Sequence, residues 1–402
     1  MKALVITTVP PDATTKNQTG STIWTLNIIS SLIADHEITL LCPPPLRDPF
    51  FKENKLNFIP CPIKKKTNRL WRIYKSIKNQ VFPSVWTLYS SKTEIFLKSL
   101  KHSEFELCWL LDDYCGVYLP LIPKFLPAIY CRHYAIHKDF TQSSSSKFST
   151  KFWKFKYHQY CAIGFDKRSM DRATHVITPT EKIKKSFSKL SPSTSITNIA
   201  TTPFVKPSPI SKTIISTSQR NDKRLKVVYV GDMTFVRNHE GVSWFIRNVI
   251  PLLGNQYLKC FHFQFIGKNI NFDLDENEFP ENTSIEFSGF TKDLDGELRT
   301  AQIAIIPVWG GSGIRLKTLT LIGSGLPTIS TPDALEGLDF LDEKSVIIAN
   351  DKEDFKNGLL QMLDQTKRVS ISNSCINQMN DFFQTNENHK LLKEITAKVL
   401  SL

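Results

Sequence analysis

The sequence lacks any apolar run near the roughly 20 residues needed to cross a bilayer, which leaves a soluble or peripheral protein as the expectation. None of its eight cysteines stands in a C-x-x-C pair or at a Cys/His ligand spacing, which argues against structural zinc and against a disulfide framework. Cys108, Cys115, Cys131, Cys161 and Cys260 lie in or beside apolar runs, as buried free thiols do, so the chain reads as one kept in a reducing cytosol. The opening MKALVITTVPPDATTK is broken at Pro10 and Pro11. That apolar run is too short for a secretion signal and reads as a first strand. There is no internal repeat with a period of about 20 to 50 residues, low complexity is confined to SSSS at 143–146, and no nucleic-acid-binding motif occurs. Nucleic acid is therefore not an expected partner.

What is present is a globular composition, 41% hydrophobic and 11% aromatic over 402 residues. That length predicts two domains of roughly 200 residues each. The net charge of +13 is lopsided: residues 1–210 hold 30 Lys and Arg against 14 Asp and Glu, and the rest 21 against 24, giving +16 and −3. Such asymmetry points to a partner for the first half.

Short apolar runs alternate with amphipathic ones. KALVITTV and HEITLLC read as buried strands around a helix STIWTLNIISSLIAD that begins at Gly20 and Ser21, a βαβ unit of a parallel sheet. ELCWLLD, PAIYCRH and HVITPT read as further strands. Residues 191–224 hold four prolines among many serines and threonines, the composition of an interdomain linker. The pattern then restarts with LKVVYVGDM as a strand, EGVSWFIRNVIPLL as a helix, FHFQFIG and SIEFSGF as strands, KDLDGELRTA as a helix, and QIAIIPVW and LPTIST as strands. The prediction is α/β, with a basic N-terminal domain over 1–200, a linker over 201–224, and a C-terminal domain over 225–402 whose last helix is free to pack back on the first domain. Doubly wound sheets of this kind bind ligands outside the carboxyl ends of their strands.

The stretch PVWGGSGIRLKTLTLIGSGLP, 307–327, follows such a strand. Gly310, Gly311 and Gly313 let backbone N–H groups approach a ligand, the next helix adds its positive end, and Arg315 and Lys317 add charge. Residues two apart on a helix point in opposite directions, so both cations serve one phosphate only if the first turn is irregular, and Lys317 is the better placed. The alternative is a turn with solvated cations. Asp112 and Asp113 in WLLDDYCG form either a metal-binding pair or a polar strand exit. IKKKTNRLWRIYKSIKNQVFPSVW sets Leu70, Ile73, Tyr74, Ile77 and Val81 on one helical stripe among seven basic residues, and SKFSTKFWKFKYHQY mixes lysines with Phe148, Phe152, Trp153, Phe155 and Tyr157. Such segments either dock on an anionic membrane or pack a core stripe under a solvated basic face.

Residues 225–340 resemble the GT-B glycosyltransferases, in particular the family 4 group of retaining, nucleotide-sugar-dependent enzymes. VVYVGDMTFVRNHEGVSWFIRNVIPLL is similar to that group's first C-domain strand, glycine turn and helix; SIEFSGFTKDLDGELRTAQIAIIPVWGGSGIRLKTLTLIGSGLPTIST is similar to its base-binding turn, strand and donor loop; ALEGLDF completes the run. The resemblance implies two doubly wound Rossmann-like domains facing a central cleft. It implies a hexosyltransferase that moves a sugar from a nucleoside diphosphate, UDP in many such enzymes, to an acceptor hydroxyl without metal or other cofactor. The acceptor it suggests is a polysaccharide or lipid-linked glycan, with the enzyme cytoplasmic or peripheral on the inner face of the cell membrane; a protein or small-molecule acceptor, and a catalytically weak homologue, are the alternatives.

By resemblance, Gly231 approaches the diphosphate with Arg237 as an extra cation, Phe290 and Thr291 border the base, and Gly20 faces the donor from the first domain. Gly311, Ser312 and Gly313 line the sugar and diphosphate, with Arg315 and Lys317 neutralising charge. His133 lies near the reacting face of the sugar with His137 a rival, and Asp12 would help the acceptor hydroxyl. Family members carry two glutamates eight apart, at the positions of Ser312 and Thr320 here. Glu336 is the nearest acid able to substitute for either contact, or else a solvated loop residue.

Overall fold

The computed structural model describes residues 1–11, 20–46, 51, 54, 56–63, 69–81, 83–137, 150–199, 224–268, 280–311, 313–385 and 388–402. The chain divides into two compact units, Met1–Phe204 with Glu387–Leu402, and Val205–Asn386. The expected linker, apart from Arg224, and the serine run at 143–146 lie outside the described residues, as do Lys64, Lys65, Lys66 and Asp12.

Unit 1 is built on seven parallel strands: β1 Lys2–Ile6, β2 Glu37–Cys42, β3 Asn57–Pro60, β4 Leu107–Leu110, β5 Ala128–Cys131, β6 His175–Thr178 and β7 Ile196–Asn198, in the order β3-β2-β1-β4-β5-β6-β7. Helices α1 Gly20–Ile33, α2 Arg69–Asn79, α3 Ser91–Ser99, α4 Thr150–Arg172 and α5 Glu181–Leu190 connect and cover them. Strands β1, β4 and β5 are largely apolar runs because both faces of a parallel sheet are covered. Alternate residues of β4 show the two faces: Leu107 and Trp109 join one core with Ile28 and Ile29 of α1, while Cys108 and Leu110 join another with Leu97 of α3.

Unit 2 carries six parallel strands: β8 Leu225–Val230, β9 Phe261–Ile266, β10 Ile285–Gly289, β11 Ile303–Ile306, β12 Thr328–Ser330 and β13 Ile347–Ile348, in the order β10-β9-β8-β11-β12-β13. Its helices are α6 Val236–Asn248, α7 Gly254–Leu258, α8 Leu294–Arg299, α9 Leu316–Gly323, α10 Lys352–Gln361 and α11 Gln365–Thr385. Phe245, Phe263 and Phe355 meet edge to face at 5.7–5.9 Å in its core. Gly241 lets α6 lie against the exit of β11, since a Cβ there would sit 1.9 Å from the Pro307 carbonyl oxygen. The final helix, α12 Asn388–Leu400, belongs to unit 1: Leu392, Ile395 and Val399 enter the core beside Ile28, and Lys393 pairs with Asp35 at 3.0 Å.

Three sequence expectations need amendment. Helix α6 begins at Val236, ahead of the predicted EGVSW start. Helix α2 stops at Asn79; Gln80 takes φ 48°, and Val81 is buried beyond the helix instead of continuing its stripe. Ile73, Tyr74 and Ile77 are 36%, 59% and 60% exposed, so that stripe does not pack a core.

Candidate functional site

In each sheet the strand order reverses beside the first strand, and the two crevices there are where such folds take ligands. In unit 2 the reversal falls between β8 and β11. Gly231 follows β8 and the glycine stretch follows β11, so the pairing of these two strands in the sheet brings the segments together. Gly310, Gly311 and Gly313 take φ of 65°, 82° and 93°, a backbone open to glycine and costly for other residues.

Three cations converge on this loop. A Cβ on Gly310 would collide with the Arg237 guanidinium, and one on Gly311 would lie 3.1 Å from that of Arg315 and 3.4 Å from Arg237 Nε. Arg315 is the N-cap of α9, with extended backbone (φ −98°, ψ 115°), and it folds back to donate to the carbonyls of Gly310 and Asp333. The first turn is therefore irregular in the way that lets Arg315 and Lys317 share one site. Lys317 Nζ donates to Tyr229 Oη at 2.7 Å and Asn238 Oδ1 at 2.5 Å, and stands 4.9 Å over the Tyr229 ring. Both of these hydrogen-bond partners are neutral. Burial and the neighbouring Arg315 lower its pKa to about 7. Tyr229 and Asn238 also wall Gly231, where a Cβ would meet them at 2.8 and 3.1 Å. Gly231, Arg237, Gly310, Gly311, Arg315 and Lys317 thus form one cluster.

The loop's N–H groups are partly engaged within the chain. Gly310 N donates to Asp333 Oδ2 at 2.8 Å and Gly313 N to Glu336 Oε1 at 2.9 Å. Glu336 is 9% exposed, so it is a buried loop-facing carboxylate, not a solvated one. Thr320 lies on the Lys317 side of α9, one turn on. Ser312 lies outside the described residues. Phe290, 54% exposed with Lys268 Nζ 4.9 Å over its ring, and Thr291, whose hydroxyl takes the Asp293 N–H, stand beyond β10. Three strand spacings, roughly 14 Å, separate that end from β11; both lie on the ligand-binding edge, apart from the cations.

In unit 1 the reversal falls between β1 and β4. Asp112 is consumed there: its carboxylate takes Thr7 Oγ1, Thr8 N and Oγ1, Tyr114 N and Cys115 N, tying the ends of β1 and β4 together. Asp113 accepts from Arg132 Nε at 2.9 Å, His133 N at 3.0 Å and His133 Nδ1 at 3.0 Å. Burial alone would raise the Asp113 pKa, but His133 and Arg132 outweigh it and hold the carboxyl below its usual range. An ionised Asp113 fixes the proton on Nδ1 of His133. Nε2 has no hydrogen-bond partner among the described residues, and Trp24 meets the ring edge-on at 4.3 Å. His137 has both nitrogens engaged, by Asp166 at 2.8 Å and Ser186 at 2.9 Å, and so is no rival. The aspartates are thus a polar strand exit; no group of three or more potential metal ligands occurs among the described residues. Gly20 opens α1 in the same unit.

Residues 224–365 match the family model described as glycosyl transferases group 1. The whole chain superimposes on solved structures with this architecture. The chain has the GT-B fold. TarM matches with TM-score 0.66 at 11% identity over 100% of this chain and 99% of that one. Sucrose-phosphate synthase from Thermosynechococcus elongatus gives 0.66 at 10%, and Anabaena HepE in complex with UDP 0.59 at 10%, both over the full length of both chains. No curated protein matches the sequence. The segment matched by the family model contains Gly231, Arg237, the glycine loop and Glu336. His133 and its aspartate lie outside it. Tyr229, Asn238, Asp333 and Arg132 were not singled out from sequence; each acts through a contact with a residue far along the chain, which local pattern does not carry.

Proposed function

We propose that this protein is a retaining hexosyltransferase that binds a nucleoside-diphosphate sugar through unit 2 and transfers the sugar to an acceptor hydroxyl. The observation that carries the reading is the convergence of Arg237, Arg315 and Lys317 on a glycine loop at the switch point of unit 2. The buried Lys317 donates to two neutral groups, Tyr229 Oη and Asn238 Oδ1, an arrangement that favours an incoming anion. As the bond from the anomeric carbon to the phosphate oxygen breaks, negative charge collects on the diphosphate, where fixed cations stabilise it most. The acceptor oxygen forms the new bond on the same face, and its proton passes to the departing phosphate oxygen. His133, with Nδ1 held by Asp113, offers Nε2 as acceptor to a sugar or acceptor hydroxyl. The UDP bound to HepE favours a uridine donor.

The basic unit 1 is read as the acceptor-binding part, with a polysaccharide or lipid-linked glycan as acceptor and a peripheral cytoplasmic location. No described helix is long and apolar enough to cross a membrane. The exposed Ile73, Tyr74 and Ile77 beside Lys75 and Lys78 favour an anionic surface over a solvated face alone. A panel of UDP-, GDP- and ADP-hexoses, assayed for released nucleoside diphosphate with glycan acceptors and for product anomeric configuration by NMR, tests the reading. Retention with one donor is expected; inversion, or no turnover with any donor, would overturn it.

A further inference from the structure

Unit 1 holds a cavity of about 440 Å3 that the proposed transfer does not use. It opens between α2, α3, α4 and the turn at Asp113–Val117, and its volume suits a small-molecule ligand, for which about 300–1,000 Å3 is usual. Lys75, Lys78 and Arg168 line it with one acid, Glu94, so its basic groups exceed its acidic ones by two; Glu94 also accepts from Lys98 at 2.6 Å and from the Tyr89 hydroxyl, and Lys75 Nζ stands 5.9 Å over the Trp86 ring. The walls are aromatic: Trp86 is 5% and Phe165 2% exposed, and Tyr89 stacks on Tyr118 at 5.3 Å. Arg168 donates to the Asn79 and Gln80 carbonyls and to Gln80 Oε1, which leaves two of its five N–H groups for a ligand. The same clamp, with Tyr160 Oη on Gln80 Nε2 at 2.5 Å, holds Gln80 at φ 48°. Such backbone cost concentrates at ligand clamps.

We propose that this cavity binds the phosphate of a phosphate ester whose apolar or ring-shaped body rests on the aromatic wall. Two ammonium groups and a guanidinium with spare N–H groups match a phosphate's several acceptor oxygens and its charge. The ester is either a membrane lipid headgroup or a soluble polyol phosphate. Ile73, Tyr74 and Ile77 on the neighbouring stripe of α2, and Tyr160 and Ile163 at 58% and 41% exposure on α4, surround it with apolar surface that favours the lipid. The site lies wholly in unit 1 and needs no donor in unit 2, so it stands or falls separately from the transfer reading.

The test uses the full chain without nucleotide, in calorimetry with sn-glycerol 3-phosphate and in co-sedimentation with phosphatidylcholine vesicles with or without phosphatidylglycerol. Binding to phosphatidylglycerol vesicles alone identifies a lipid headgroup, and binding of glycerol phosphate identifies a soluble ester; either supports the site. The Lys75→Gln/Lys78→Gln double variant is expected to weaken binding at least about tenfold, and Val117→Phe, which fills the cavity without altering charge, to do the same at unchanged Tm. Lys189→Gln, exposed on α5 and outside the cavity, should bind as the parent does. The proposal is overturned if neither ligand binds, if the double variant binds normally, or if Lys189→Gln loses as much.

Discussion

Lys317 gives the sharpest quantitative consequence of the site. With its pKa at about 7 in the empty site, roughly half of the lysines are neutral at neutral pH. A bound diphosphate prefers the ammonium form, so binding must take up a proton. The sign follows: affinity is at its plateau below pH 7 and falls as pH rises, up to the higher pKa of the occupied site. A pKa of 7 gives protonated fractions of about 0.9 at pH 6 and 0.09 at pH 8, so affinity should drop about tenfold across that interval. The diphosphate of a nucleotide sugar is esterified at both ends and does not titrate there, so the slope reports the protein. Calorimetry in two buffers of different ionisation enthalpy would measure about half a proton taken up per donor at pH 7. Lys317→Arg, whose cation does not titrate, should bind with a flat profile. A flat profile in the parent protein, or an unchanged slope in Lys317→Arg, would mean that Lys317 is not the group that titrates on donor binding.

Other consequences are simpler. Asp113→Asn should lower turnover by about 10²–10⁴-fold by releasing the His133 tautomer, with donor Kd nearly unchanged. A double variant with His133→Ala should be no worse than His133→Ala alone; additive losses would mean that Asp113 does not act through the histidine. Gly241→Ala drives a Cβ into the Pro307 carbonyl and should cost about 3 kcal/mol or more, read as a lower midpoint in urea; an unchanged midpoint would mean that α6 does not lie against Pro307. Thr320→Glu, which restores an acid where the resemblance implies one, should tighten donor binding by about tenfold, the worth of a charge-assisted hydrogen bond; weaker or equal binding would place the ribose elsewhere.

Much of the fold could be read from sequence because parallel strands buried on both faces leave continuous apolar runs, as in β1, β2, β8 and β9. The short edge strands β3, β7 and β13 left none: NFIP, ITN and II are too brief to stand out. The glycine loop was legible because positive φ selects glycine at 310, 311 and 313. Its internal wiring was not. Asp333 and Glu336 reach back 23 residues to the loop's N–H groups, and Tyr229 and Asn238 meet Lys317 from β8 and α6. Nothing in the local pattern distinguishes Asp333 or Glu336 from surface acids, or Tyr229 from an ordinary core aromatic. The basic stripe of α2 was ambiguous for the reverse reason: its spacing fits a buried face and an exposed one equally, and only exposure separates them.

Under the proposed function, unit 2 holds a nucleotide-sugar diphosphate on the cluster around Lys317. Calorimetric titration of the full chain with UDP-, GDP- and ADP-hexoses, repeated with Lys317→Met, tests it most directly. At least one donor is expected to bind, and Lys317→Met to weaken it by about 10- to 100-fold, the loss of a charged hydrogen bond to a buried anion. Absence of binding by every donor, or equal binding by Lys317→Met, would contradict it.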